Sequence, residues 1–239
     1  MNRKRIAVFV TTAVLSLVLC AGCSRLDPTK TVATVDGNSI EAGLVNLKAQ
    51  ISAASYDTYL LSYYGADMWE TDETGTGQTL SDEVRQETLD ETERQVLLEE
   101  HMADYQVALD AEDEALIDSY TGRFLADNTK EGLKALGADE KYVREMFRLM
   151  AIEAKMRAAI EATADTTVTE ADLAENEEAT EESIIAERQY EKYQEVVEAY
   201  LGAADITEDE AVLSTISFDQ FMSIKETPAE ASASVSTEG

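Results

Sequence analysis

The sequence predicts a mainly α-helical protein with a small amount of β structure, and three observations carry that expectation. Only two prolines and eleven glycines interrupt 239 residues. Apolar side chains recur at helical spacing through several long stretches. Hydrophobic residues make up 44% of the chain, enough to build a core despite a formal net charge of −30, which excludes wholesale disorder.

Taken in order, Thr31 to Val35 reads as a strand, and Asp36-Gly37 is a tight-turn signal. Asn38 to Ile40 returns briefly, and Ser39 is a candidate cap for a first helix from about Glu41 to Tyr64. Leu44, Leu47, Ile51, Ala54, Leu61 and Tyr64 fall on one face of it. Gly65 to Gln78 is a loop. Thr79 to Asp82 resembles a capping box and opens a second helix reaching about Tyr105, thinly apolar where Gln86, Thr88 and Thr92 sit. A third helix begins near Ala111, with Leu116, Tyr120 and Phe124 one turn apart. Lys130 to Leu136 is a short helix ended by Gly137.

The helix from about Asp139 to Ala162 carries the most apolar surface. Val143, Phe147, Met150 and Ala154 form one stripe, and Leu149, Ile152, Met156 and Ile160 a second. Apolar on two sides, it is expected to pack between partners. Lys141, Arg144, Arg148 and Lys155 share a third face, expected to balance the charge of neighbouring helices. Thr166 to Glu182 is polar and acidic. A further helix spans about Glu182 to Leu201, with Ile185, Tyr193, Val196, Val197 and Tyr200 inward and Gly202 as its stop. Val212 to Phe218 reads as a strand. From Thr227 onward the sequence is of low complexity and reads as disordered.

Charge and composition exclude several functions. Forty-nine acidic against nineteen basic side chains repel nucleic acid and anionic headgroups. His101 is the single histidine, beside Glu99 and Glu100, and reads as a solvated surface residue. One histidine and two cysteines, neither expected to remain a free thiol, leave no thiol–imidazole nucleophile and no His/Cys metal cage. No Gly-rich phosphate loop occurs. Asp72, Thr74, Thr76, Gly77 and Glu83 fall at positions of an EF-hand-like loop, but threonines replace two acids, so no metal site is assigned. Carboxylates are so abundant that their spacing carries no information. The expectation is a non-enzyme without cofactor or metal.

The amino terminus carries a targeting signal. Arg3, Lys4 and Arg5 precede an apolar run from Ile6 to Leu19, about 14 residues against the roughly 20 that a spanning helix needs. Cys20-Ala21-Gly22-Cys23 then resembles a bacterial lipobox, with Cys20 where leucine is usual. The resemblance implies cleavage of residues 1–22, lipid attachment to Cys23 and an extracytoplasmic, membrane-anchored location.

Two segments resemble SurA/PrsA-type extracytoplasmic chaperones. One is Val32-Ala33-Thr34-Val35-Asp36-Gly37-Asn38-Ser39-Ile40-Glu41, a strand and turn leading into the first helix. The other is Tyr64-Gly65-Ala66-Asp67-Met68-Trp69-Glu70, followed by Gln78-Thr79-Leu80 and a long acidic helix, similar to SurA N-terminal-like lipoproteins of Gram-positive bacteria. Gly137-Ala138-Asp139-Glu140 before the next long helix also fits.

The resemblance implies a tether at 23–30, a helical chaperone domain at 31–162, an acidic linker at 163–181, a returning helix and strand at 182–226, and a disordered tail at 227–239. It also implies that Leu213 to Phe218 pairs with Thr31 to Val35 in a small sheet made by the two ends. The parvulin prolyl isomerase domain of full-length members has no room here, and its paired histidines are missing, so isomerase activity is not carried over. What the resemblance leaves is a holdase for unfolded or nascent secreted proteins. The alternative is a passive interaction or scaffold lipoprotein on the cell surface.

Candidate client-binding residues are Tyr63, Tyr64, Met68 and Trp69 at the first helix–loop junction, with Met146, Phe147 and Met150 as an opposite wall. Met102 and Met156 belong to the same adaptable apolar set. Trp69 has two readings: a plug between helices, or an aromatic face lining a cradle.

Overall fold

The computed structural model describes residues 26–72, 75, 77–175 and 180–220. Cys23, the targeting segment 1–22 and the tail 227–239 lie outside the described residues. The elements are β1 (Thr31–Val35), β2 (Asn38–Glu41), α1 (Ala42–Tyr64), α2 (Leu80–Glu100), α3 (Ala111–Asp127), α4 (Lys130–Leu136), α5 (Glu140–Glu161), α6 (Glu170–Glu175), α7 (Glu181–Ala203), β3 (Ile206–Glu208) and α8 (Glu210–Leu213). The fold is mainly α with one small antiparallel sheet. None of the helices among the described residues is long and apolar enough to cross a membrane.

Helix ends form where side chains satisfy the backbone N–H groups left over by the first turn. Thr79 and Asp82 make a reciprocal capping box on α2, Asp110 and Asp113 on α3, and Thr180 and Ser183 on α7. Asp36 and Gly37 both take positive φ, as a type I′ hairpin requires, and β1 and β2 pair across them. α7 runs through Gly202 to Ala203, so Gly202 does not stop it.

The chain's end returns to β1, but through other residues than the sequence suggested. β3 lies antiparallel to β1, with Ala33 opposite Glu208, Thr34 opposite Thr207 and Val35 opposite Ile206, giving the order β2-β1-β3. Val212 and Leu213 belong instead to α8, capped by Asp209, whose side chain accepts from the Val212 amide. Ile216 and Phe218 follow as irregular chain with both side chains buried. The alternating apolar pattern arises from a turn of helix plus two anchoring residues, which leave the same period as a strand.

α5 is the axis of the helical part and packs against α1, α2, α3 and α7. Leu149, Ile152, Met156 and Ile160 are buried along one side. Gly43 of α1 lies so close to the Tyr142 ring that a Cβ there would overlap it. The Tyr142 hydroxyl sits 2.6 Å from the Pro28 carbonyl oxygen and 2.7 Å from Glu41 Oε2, tying α5 to the chain that precedes β1. The basic face is internally balanced: Arg148 pairs with Glu99 and Glu145, Arg144 with Glu114 and Asp118, Lys141 with Glu41, and Lys155 with Asp113.

The thin middle of α2 is a buried polar seam. Lys48 of α1 is buried and donates to Thr92 Oγ1 at 3.0 Å and Gln95 Oε1 at 2.8 Å, with Glu91 3.2 Å away. Gln95 passes the connection on to Glu153 of α5 at 2.7 Å. Burial lowers the pKa of Lys48, and Glu91 offsets part of that effect. Every polar group named here has a partner, so the seam fixes the register of α1, α2 and α5.

Candidate client-binding surface

The residues proposed from sequence divide into buried and exposed sets. Met68 and Trp69 lie in a 3₁₀ turn, Ala66–Glu70, and are core. Trp69 is 5% exposed. Its ring stacks on Phe218 at 4.5 Å and meets Tyr56 edge-on at 5.9 Å. Its Nε1 donates to Asp57 Oδ1 at 3.1 Å, and its carbonyl accepts from Ser81 Oγ at 2.7 Å. Trp69 therefore fills the gap between α1, α2 and the chain end and lines no cradle. Met146 is also buried, among Leu44, Leu136 and Leu149 in the same core cluster.

Tyr63 and Tyr64 are exposed, Tyr63 at 83%. They sit where α1 leaves the core: residues 42–50 are buried all round, while Tyr59, Tyr63 and Tyr64 face outward. Phe147 and Met150 remain on the surface of α5, Phe147 half-buried and Met150 49% exposed. The buried Met68, Trp69 and Met146 therefore offer no exposed surface between the tyrosines of the first junction and the α5 wall.

The structure adds two residues to the α5 wall. α3 turns Ile117 and Thr121 inward, which leaves Leu116 and Tyr120 facing outward and exposed. Tyr120 meets Phe147 at 5.7 Å, and Phe124 meets the same ring edge-on at 6.2 Å. Leu116 lies one turn before Tyr120 on α3, and Met150 nearly one turn after Phe147 on α5. Leu116 and Tyr120 on α3, with Phe147 and Met150 on α5, thus make an apolar strip joined through the Tyr120–Phe147 contact, on two helices that the Arg144 ion pairs also link. The one-turn spacing of Leu116, Tyr120 and Phe124 was legible in the sequence; that its first two members face away from the core was not.

A groove of about 1080 Å³ lies elsewhere, between the start of α1, the α4–α5 junction and the chain around Ser217. Its walls are largely polar. Gln50 donates to the Ser217 carbonyl at 2.8 Å and Asn46 to the Leu136 carbonyl at 3.2 Å. No residue of the apolar strip lines it.

His101 is partly exposed and also makes contacts between helices. It caps α2, stacks face to face on Tyr200 of α7 at 3.7 Å, and its Nδ1 lies 2.7 Å from Asp104 Oδ2. This lone histidine joins two helices. In the EF-hand-like loop, the Asp72 carboxylate accepts from the Gly75 and Gly77 amides at 2.7 and 2.8 Å, so it is spent on shaping the turn. Compared with known proteins, the chain matches no family model, no curated sequence and no solved structure.

Proposed function

We propose that this protein is a non-catalytic holdase for unfolded exported proteins, anchored at the outer face of a membrane through a lipid on Cys23. The strip of Leu116, Tyr120, Phe147 and Met150 is the observation that supports the reading. Large apolar groups clustered on the surface of so acidic a chain are the kind of patch that a partner covers. Methionine and leucine adapt to varied side chains, and tyrosine offers an aromatic face with a polar tip. The surplus of acidic side chains draws apolar segments flanked by lysine or arginine and repels acidic ones.

The test is an aggregation-suppression assay with a denatured secreted protein of basic pI. Wild-type protein at near-stoichiometric ratio is expected to suppress light scattering. A Tyr120→Ser, Met150→Ser double variant is expected to lose at least half of that effect. Both side chains are half-exposed, so its unfolding midpoint should stay close to wild type. Absence of suppression by wild type, as for a passive scaffold lipoprotein, or equal suppression by the variant, would remove the proposal.

A further inference from the structure

Three carboxylates converge where Glu208, at the end of β3, reaches α2. Asp90 and Glu93 lie nearly one turn apart on α2, and Glu208 ends β3; one oxygen from each lies within 4.8 Å of the others. Acidic clusters are common on such a chain, but Glu93 sets this one apart. It is 4% exposed, and its Oε1 is buried with no hydrogen-bond partner. Asp90 and Glu208, by contrast, are exposed and share one donor: Gln86 Nε2 reaches Asp90 Oδ1 at 2.7 Å and Glu208 Oε2 at 3.2 Å. Among the described residues no lysine, arginine or histidine forms an ion pair with any of the three.

An unpartnered buried carboxylate facing two others is costly, because desolvation and like-charge repulsion act together. We propose that Asp90, Glu93 and Glu208 bind a hard divalent cation of the calcium class, which clips the returning strand β3 onto α2. The donor set is entirely carboxylate oxygen, which suits calcium or magnesium and not the metals that prefer imidazole or thiolate. Oxygens up to 4.8 Å apart can lie on opposite sides of a calcium ion, whose bonds to oxygen are roughly 2.3–2.6 Å long. Asp90 and Glu208 each keep a second oxygen beside the one that Gln86 holds, and both are exposed, so water can complete the shell. The cation would neutralise Glu93 without a proton and join the last strand to the helical core. This inference concerns the fold's own stability and does not depend on the holdase reading.

The experiment uses the full chain stripped with EDTA, in about 150 mM NaCl to suppress diffuse counterion binding. CaCl2 and MgCl2 are titrated in separate arms by calorimetry, with melting followed in parallel. A single saturable site with half-saturation of roughly 0.1–1 mM is expected, with a rise in melting temperature. The calcium arm should be the tighter one. Glu93→Gln keeps the shape of the side chain and removes its buried charge. It should abolish the saturable heat while melting, without cation, no lower than wild type. Glu208→Gln, on the exposed rim, should weaken the site at least tenfold. If wild type shows no saturable component, or if Glu93→Gln and Glu208→Gln both bind as wild type does, the cations only screen an acidic surface and the site does not exist.

Discussion

Glu93 sits at one-turn spacing between Leu89 and Leu97, both buried, so a carboxylate occupies a core position of α2. Burial, followed by the proximity of Glu208 and Asp90, pushes its pKa up to about 7. A carboxyl whose folded pKa is raised holds its proton longer in the folded state than in the unfolded one. Its stability penalty is therefore absent below the ordinary carboxyl range and grows as pH rises toward 7. In EDTA, the gain in unfolding free energy of Glu93→Gln over wild type should grow by about 3 kcal/mol at most between pH 4.5 and 8. Urea unfolding at a series of pH values measures this, and a difference that does not change with pH would show that Glu93 stays ionised. The position was not legible in the sequence, because carboxylates are too abundant for spacing to single one out, although Glu93 stands where the leucine register of α2 turns inward. Nor was the cluster, because Glu208 is 115 positions away and its pairing depends on where β3 lies.

The segment from β3 to Phe218 acts as a strap across the sheet and the first helices. Its hold rests on Ile216 and Phe218, which share a core cluster with Val32, Val35 and Trp69. Trp69→Ala and Phe218→Ala should each cost about 3–5 kcal/mol, as aromatic truncations in a packed core do. The two residues stack on one another, so the double variant should cost less than the sum by roughly 0.5–1.5 kcal/mol. Equilibrium denaturation of the four proteins closes the cycle, and additive losses would mean that the stack contributes nothing of its own. Trp69→Ala should leave suppression per folded molecule unchanged, since the ring offers no exposed face. The helices themselves were largely readable. Capping residues and periodic apolar faces act within a few residues of where they stand, as in the Thr79–Asp82 box. The last strand was misplaced because three residues, Ile206 to Glu208, are too short to show a period.

Charge acts on the molecule as a whole. The basic residues of α5 each find an acidic partner, on β2, α2, α3 or α5 itself, yet 49 acidic residues against 19 basic leave a large surplus of negative charge. Self-repulsion then outweighs the exposed ion pairs, each of which contributes little. Raising NaCl from about 10 mM to about 500 mM shortens the screening length from about 30 Å to below 8 Å and should raise the melting temperature. A fall on adding salt would show that the ion pairs, and not the repulsion, dominate. Differential scanning fluorimetry across a salt series in EDTA reads the sign directly.

Residues whose effect is local set the helical class, the Asp36-Gly37 hairpin turn, the capped starts of the helices and the excess negative charge, and the sequence alone determined these. Helix periodicity, turn φ preferences and caps depend on neighbours within about one turn, so they can be read without knowing the fold. Tertiary structure decided the rest. It put Trp69 in the core and Tyr120 on the surface, although both are large aromatics in helical or turn context, because what opposes a residue across space fixes its burial. It chose Ile206 to Glu208 over Leu213 to Phe218 as the partner of β1, because β1 had one free edge and α7 delivers the chain to it at Asp205, whose carbonyl accepts from the Asp36 amide at 3.0 Å. And it gathered Asp90, Glu93 and Glu208 out of 49 acidic residues, a selection made by bringing the end of β3 to α2 and by no spacing along the chain.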